Sequence, residues 1–341
     1  TIPIGDVKGS IIGVTDIPLW PKTLIFDILY GEFNKYNQRS YLDRTMKSKK
    51  DDFINLELDK TNFSGGRFIF SLFDRMFELY RFQYNIKSNI SAVRDNKGNL
   101  IYNLNQEFDV EAITYGSLID YTDDRTDPLK GIRFNYNYGD SPQQDPDSPD
   151  YYVQEFNLSG YMPIKKSSIA LNWYRAGATV RKQGNTDLNS LIALETARCY
   201  ANCDSATINS RAKNQQALNR YGSAGGLGGP TRLRSFAQNR YNGSQVAFRG
   251  IEYRWNFSDK ETPIEYYIIS DTAINFQLAF FYEEGSIADT ANDLWNEMKS
   301  STGLGFRIVT TSQFVYRIDF ASGQEGNEFI FWFDYPWGAV Q

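Results

Sequence analysis

The sequence predicts an all-β chain: an antiparallel transmembrane β-barrel of about twelve strands, with fourteen to sixteen also compatible, and a long in-folded loop carrying an arginine motif. Three observations lead there. The C-terminal third alternates apolar and polar residues with a period of two. Its apolar faces are largely aromatic, while the opposite faces hold Arg, Asp, Glu and Gly. The chain has 24 Phe and 23 Tyr among 341 residues, yet no apolar run approaches the ~18 residues of a spanning helix. Successive strand side chains point to opposite faces. A soluble sandwich turns the apolar face inward; a membrane barrel turns aromatics to lipid and charge to its lumen.

The C-terminal strands show the code most clearly. Ala273–Glu284 sets Ile274, Phe276, Leu278, Phe280 and Tyr282 against Asn275, Gln277, Ala279 and Glu283. Gly303–Thr310 sets Leu304, Phe306 and Ile308 against Gly303, Gly305 and Arg307. Gln313–Ala321 sets Phe314, Tyr316, Ile318 and Phe320 against Arg317, Asp319 and Ala321, and the final segment, with its strand at Asn327–Tyr335, puts Phe329, Phe331, Phe333, Tyr335 and Trp337 on one face. Upstream, strands are expected at Leu24–Tyr30, Asp52–Leu58, Arg67–Phe73, Phe108–Leu118, Lys130–Tyr138, Tyr151–Met162, Ser168–Val180 and Gln245–Phe257. Met76–Asn89 either extends the third strand or forms its own. Residues 1–22, with Pro18 and Pro21, read as an extended lead-in, and 23–341 as one barrel in which 184–244 is the long lumen-folded loop. Short turns such as Met162–Ser167 alternate with long polar loops such as Asn34–Lys50 and Gly139–Asp150, the pattern of periplasmic turns and external loops.

Composition excludes several functions. The net charge of -5 comes without a basic stripe for nucleic acid. Histidine is absent, which removes His-based triads, shuttles and metal sites. With no Gly-x-Ser-x-Gly either, the reading is a non-enzyme without cofactor or metal. Cys199 and Cys203 are four residues apart in a polar segment; they suit a small disulfide in an exported loop, the alternative being two reduced thiols.

The long insertion carries the most specific signal. Leu188–Arg198 has helical character, and Gly225–Gly229 leads into Pro230, Thr231, Arg232 and then Leu233-Arg234-Ser235-Phe236. No Gly-Lys-Ser/Thr follows, so the glycines are not a nucleotide loop. In the following strand, parity sends Gly250, Glu252 and Arg254 inward and Ile251, Tyr253, Trp255 and Phe257 to lipid, while Glu283 points inward from the next. An arginine on the loop could then reach Glu252, Glu283 or both, a pairing that suits its forked guanidinium. The alternative is one solvated base among Arg211, Lys213, Arg220 and Arg240.

At these residues the chain resembles the Omp85 superfamily of outer-membrane barrels. Leu233-Arg234-Ser235-Phe236 is similar to the family's Val-Arg-Gly-Phe/Tyr motif, with Leu for Val and Ser for Gly. Arg249–Trp255, Phe280–Gly285, Gly303–Arg307 and Tyr316–Asp319 then resemble the family's later strand motifs, in the family's order. The resemblance implies an outer-membrane barrel of a Gram-negative bacterium that handles insertion or translocation of protein or lipid by perturbing the membrane or opening a lateral seam. The seam would join Leu24–Tyr30 (Leu24, Tyr30) to the last strand (Phe329, Phe333). The region before the first expected strand is too short for a POTRA domain, so a short form lacking these domains is expected rather than one trimmed of them. A plugged or passive pore, or a purely structural barrel, is the alternative. Outer-membrane lipids are the expected surroundings. A homodimer through the aromatic wall and an unfolded outer-membrane or secreted client are partners this reading allows, and nucleic acid is not.

Overall fold

The computed structural model describes residues 8–21, 23–102, 106–199, 203–258, 262–266, 269–310 and 314–337. Its strands are β1 (Lys8–Trp20), β2 (Leu24–Tyr41), β3 (Phe53–Leu72), β4 (Phe77–Arg94), β5 (Leu100–Tyr102), β6 (Gln106–Thr122), β7 (Gly131–Ser141), β8 (Asp150–Ile164) and β9 (Ser167–Lys182). There follow β10 (Gly226–Leu227), β11 (Tyr241–Asn242), β12 (Gln245–Asn256), β13 (Thr262–Tyr266), β14 (Ile269–Ala288), β15 (Lys299–Thr310), β16 (Val315–Gly323) and β17 (Gly326–Phe333). Two α-helices, α1 (Leu188–Arg198) and α2 (Ser205–Tyr221), interrupt them. Thirteen strands are hydrogen-bonded in the order β1-β2-β3-β4-β6-β7-β8-β9-β12-β14-β15-β16-β17, with β5 and β13 short additions beside β4 and β14. The ladders β1–β2, β2–β3, β9–β12, β12–β14, β14–β15 and β15–β16 are all antiparallel, so the expected antiparallel all-β fold holds.

Several boundaries differ from expectation. The lead-in is a strand: β1 pairs with β2 from Gly9↔Phe33 to Trp20↔Leu24. Its alternation is blurred by three register shifts, between Lys8 and Gly9, Val14 and Ile17, and Pro18 and Trp20, with Asp16 at φ 57° inside the second. Such irregularities on a strand at the end of the order accommodate a proline without an N–H. Residues 1–7 and Lys22 of the lead-in lie outside the described residues. The expected first-strand seam is corrected as well. Leu24 and Tyr30 sit in β2 between two partners, facing Trp20 and Ile12 in β1 and Phe70 and Ser64 in β3. The ends of the order are β1 and β17, so of the four seam residues only Phe329 and Phe333 occupy a terminal strand. The strands expected at Asp52–Leu58 and Arg67–Phe73 merge into one, β3, which runs from Phe53 to Leu72. The polar, glycine-rich stretch between them is a bulge at Lys60 (φ 52°) rather than a break. Met76–Asn89 gives its own strand, β4, after a turn in which Phe73, Asp74 and Arg75 all take positive φ. Gln313, where the next-to-last strand was expected to start, lies outside the described residues.

The chain divides into two compact units, Thr1–Ser117, Asn137–Gln154 and Ala178–Ser223 forming one and Leu118–Tyr136, Glu155–Gly177 and Ala224–Gln341 the other. In the first, Leu42, Ile54, Val93, Ile101 and Tyr102 make a buried cluster, and Cys199 and Cys203 pack on it. Each helix starts at an aspartate cap: Asp187 accepts from the amides of Asn189 and Ser190, and Asp204 from that of Thr207. Glu195 of α1 is buried, accepting from Arg211 of α2 at 2.5 Å and from the Tyr102 hydroxyl at 3.4 Å, with Arg198 3.2 Å away. The helix pair is thereby tied to the strands by one buried carboxylate.

The second unit displays the inverted face pattern. In β16, Tyr316, Ile318 and Phe320 are exposed while Arg317 and Asp319 are fully buried. In β12, β14 and β15, Ile251, Trp255, Phe280, Tyr282 and Leu304 are exposed, and Glu252, Arg254, Glu283 and Arg307 are buried. A water-soluble sheet has the opposite arrangement. The C-terminal end departs from it: beyond Phe333 the chain turns at Asp334 (φ 69°), and Tyr335 and Trp337, expected on the lipid face, are buried. Strand parity lapses once the ladder ends, so the two aromatics turn to the charged side.

Candidate functional site: an arginine loop clasped by three strands

Residues 224–244 cover the buried polar face of the second unit. A short ladder, Gly226↔Asn242 and Leu227↔Tyr241, closes the base of this loop. Above it the chain doubles back: the Gly228 amide donates to the Arg232 carbonyl, the Gly229 amide to that of Phe236, and the Phe236 amide to that of Leu233. Gly228 has φ 109°, and a Cβ there would collide with the Ala237 carbonyl, so glycine is required. Leu233, Phe236, Leu227 and Tyr241 are buried and fasten the loop. Leu233 takes φ 53°, which turns Arg234 out of the tip toward the sheet.

Arg234 is completely buried and meets carboxylates from three strands. Its Nε donates to Glu283 Oε1 of β14 at 2.9 Å, Nη1 to Asp319 Oδ2 of β16 at 2.8 Å and Nη2 to Glu252 Oε2 of β12 at 3.1 Å. Its backbone amide donates to the other Glu283 oxygen at 2.9 Å, and the next amide, of Ser235, to Ser301 Oγ at 2.9 Å. The guanidinium carbon lies 3.4 Å above the Phe281 ring centre and 5.8 Å from that of Trp337. Burial by itself would lower the Arg234 pKa. Glu283, Asp319 and Glu252 more than offset it and hold the side chain charged.

The neighbouring strands supply both room and charge balance. β15 carries Gly305 opposite Asp319 and Gly303 opposite Phe281. A Cβ at Gly305 would strike the Asp319 carboxylate, and one at Gly303 would lie 2.5 Å from the Phe281 ring. Arg254 donates to Glu252 Oε1 at 2.9 Å and Arg307 to its Oε2 at 2.8 Å. Arg317 lies 3.5 Å from Asp319 and donates to the Pro230 carbonyl at 2.6 Å, which ties β16 to the loop a second time. Tyr335 lies 3.8 Å below the Arg254 guanidinium and donates from its hydroxyl to Asp127 at 2.6 Å. Burial, and then Asp127, push its phenol well above the ordinary value, so the proton stays for that bond.

Of the residues singled out in the sequence, the structure brings together Arg234, Glu252 and Glu283. Leu233 and Phe236 are the loop's apolar anchors, and Ser235 is its second backbone tie. Cys199 and Cys203 are joined in a disulfide in the other unit. Sequence reasoning missed Asp319 as a third partner, although parity had put it on the charged face with Arg307 and Arg317. It also missed Phe281, whose inward parity was legible, and Tyr335 and Trp337, for which strand parity pointed the wrong way. Helix α2 went unnoticed although Asp204 precedes a run of helix formers.

Fold and site together define a class of protein: an antiparallel sheet with an exposed aromatic face, and a charged face on which an arginine loop is clasped. Among solved structures the chain is similar to the crystal structure of BamA from Haemophilus ducreyi lacking POTRA domains 1-3, with a TM-score of 0.54 and 11% sequence identity. The match covers 97% of this chain and 62% of that one, so this chain spans less than two thirds of that protein's length. At this identity the likeness is one of fold. No family model matches the chain, and no curated protein matches it.

Proposed function

We propose that the chain is an integral outer-membrane barrel of the Omp85 kind, which handles insertion or translocation of protein or lipid by perturbing the bilayer locally or opening along a seam. The observation that carries this reading is Arg234, held by Glu283, Asp319 and Glu252 on the charged face of a BamA-like sheet whose other face exposes aromatics. In a barrel that charged face is the lumen, and the loop occupies it, which disfavours a passive pore. The strands at the ends of the order support a seam. In β1, Ile11, Ile12, Val14 and Trp20 are exposed; in β17, Phe329, Phe331, Trp332 and Phe333 are. These successive residues place exposure on both faces of each strand. Terminal strands so thinly covered are the ones expected to open, because unpaired edges in lipid are costly and must be traded for a client's. The role needs no covalent chemistry.

The test begins with folding into lipid vesicles and gel mobility with and without boiling, since a closed barrel migrates differently when unheated. Vesicles holding the protein are then given an unfolded outer-membrane barrel, and the client's acquisition of heat resistance is timed. Faster client folding with low, steady conductance supports the proposal. Large steady conductance without faster client folding makes the protein a passive pore.

A further inference from the structure

The exposed face of the second unit carries a groove that the site above does not use. Its cavity of about 610 Å³ is lined by Ile132 of β7, Leu158 and Gly160 of β8, Leu171 and Trp173 of β9 and Ile251 of β12. The dent exists because Gly160 has no side chain: a Cβ built there meets nothing within 4 Å. Toward the end where β9 and β12 run into the long insertion, the apolar walls give way to charge. Arg249, also lining the groove, is 2.5 Å from Glu284 and lies 5.2 Å from the Trp295 ring centre, and Tyr282 donates to the same Glu284 at 2.7 Å. Arg175 lies two residues beyond Trp173 on the same face of β9. Register places it opposite Ala247, so its backbone lies on the diagonal from that of Arg249, a spacing of roughly 7–8 Å between Cα atoms that the two long side chains can bridge. Arg249 has its counter-charge. Arg175 does not: among the described residues it donates to the carbonyls of Ala176 and Val246 and to Gln245 Oε1, all neutral.

We propose that this groove binds one anionic phospholipid, its acyl chain lying along the Gly160 dent and its phosphate seated on Arg175 and Arg249. The inference rests on reading the aromatic face as lipid-facing. On such a face a half-buried guanidinium with only neutral acceptors is costly, and a headgroup phosphate is the partner the bilayer supplies. Trp173, Tyr282 and Trp295 beside it are the amphipathic rings that settle at headgroup level. Charge and shape thus coincide in a lipid: an anion at the rim and an aliphatic chain below it.

The test folds wild-type protein, Arg175→Gln and Gly160→Phe into vesicles mixing phosphatidylcholine and phosphatidylglycerol. Each is then extracted in detergent, and its retained lipid is read by native mass spectrometry, with gel mobility alongside. Wild type should keep phosphatidylglycerol in preference to phosphatidylcholine. Arg175→Gln should weaken that retention about fivefold, and Gly160→Phe, which fills the dent, should abolish it at unchanged mobility. Equal retention of the two lipids, retention in Gly160→Phe matching wild type, or a dimer mass in place of bound lipid overturns the proposal. A chain that shows no heat-modifiable mobility overturns the membrane reading and the groove with it. A heat-modifiable barrel that keeps no phosphatidylglycerol overturns the groove alone.

Discussion

Arg234 donates to Asp319 at 2.8 Å across 85 positions of sequence, from a loop tip to the next-to-last strand. Both groups are fully buried, so neither can turn to water if the other is removed. Removing one partner of a buried pair costs about 3–5 kcal/mol. Arg234→Ala is therefore expected to lower the temperature at which the unboiled gel band is lost and to open the loop to trypsin at Arg232 and Arg240. Unchanged heat stability and protease resistance would show that the loop is held by its apolar anchors alone.

Asp319 and Glu252 accept from different nitrogens of the same guanidinium, Nη1 and Nη2, and a double-mutant cycle can isolate the first of these contacts. Asp319→Asn in an Arg234→Ala background should cost less than in the wild type, with a coupling of about 0.5–3 kcal/mol. Denaturant midpoints of the four proteins measure it. Additive costs would mean that Asp319 serves Arg317 and Arg307 rather than the loop.

The glycines of β15 and β8 give a paired prediction. A methyl at Gly305 strikes the Asp319 carboxylate, whereas one at Gly160 meets open space. Gly305→Ala should destabilise by about 1–3 kcal/mol, and Gly160→Ala should stay within about 0.5 kcal/mol of wild type. Thermal loss of the compact gel form compares the two directly.

The disulfide spans only four positions, Cys199 to Cys203, so it closes a very short loop. The chain-entropy model assigns such a loop about 2 kcal/mol. Reduction should raise amide hydrogen exchange in α1 and α2, which flank it, and leave β12, β14, β15 and β16 unchanged. Equal acceleration in those strands would contradict a local role.

Tyr335 places its hydroxyl between Asp127 and Gln277, at 2.6 and 3.2 Å. Tyr335→Phe leaves the ring under Arg254 and removes only the donor, at a cost of about 1–3 kcal/mol. A urea midpoint equal to wild type would show that this bond adds nothing to the fold.

The face pattern was legible in the chain because it is local: a period of two assigns Glu252, Glu283, Arg307 and Asp319 to one side without any knowledge of their neighbours. Glycine and serine around Arg234 likewise announced a loop with one arginine to place. Asp319 was visible as an inward residue but not as a partner. Partnership depends on which strands adjoin and how Gly305 aligns with Asp319, and ladder register determines both. Strand limits were harder, because Pro18 and Lys60 look like breaks where the ladder absorbs them as bulges. By itself, then, the sequence determined the antiparallel strands, their two chemical faces and the arginine that had to be paired. Only the tertiary structure decided that three strands share that arginine, that Leu24 and Tyr30 lie inside the sheet, and that Tyr335 and Trp337 fold onto the charged side. The physical reason is range. Side-chain alternation is set within a few residues, whereas ion-pair geometry, register and the path of a chain end arise from segments far apart in sequence.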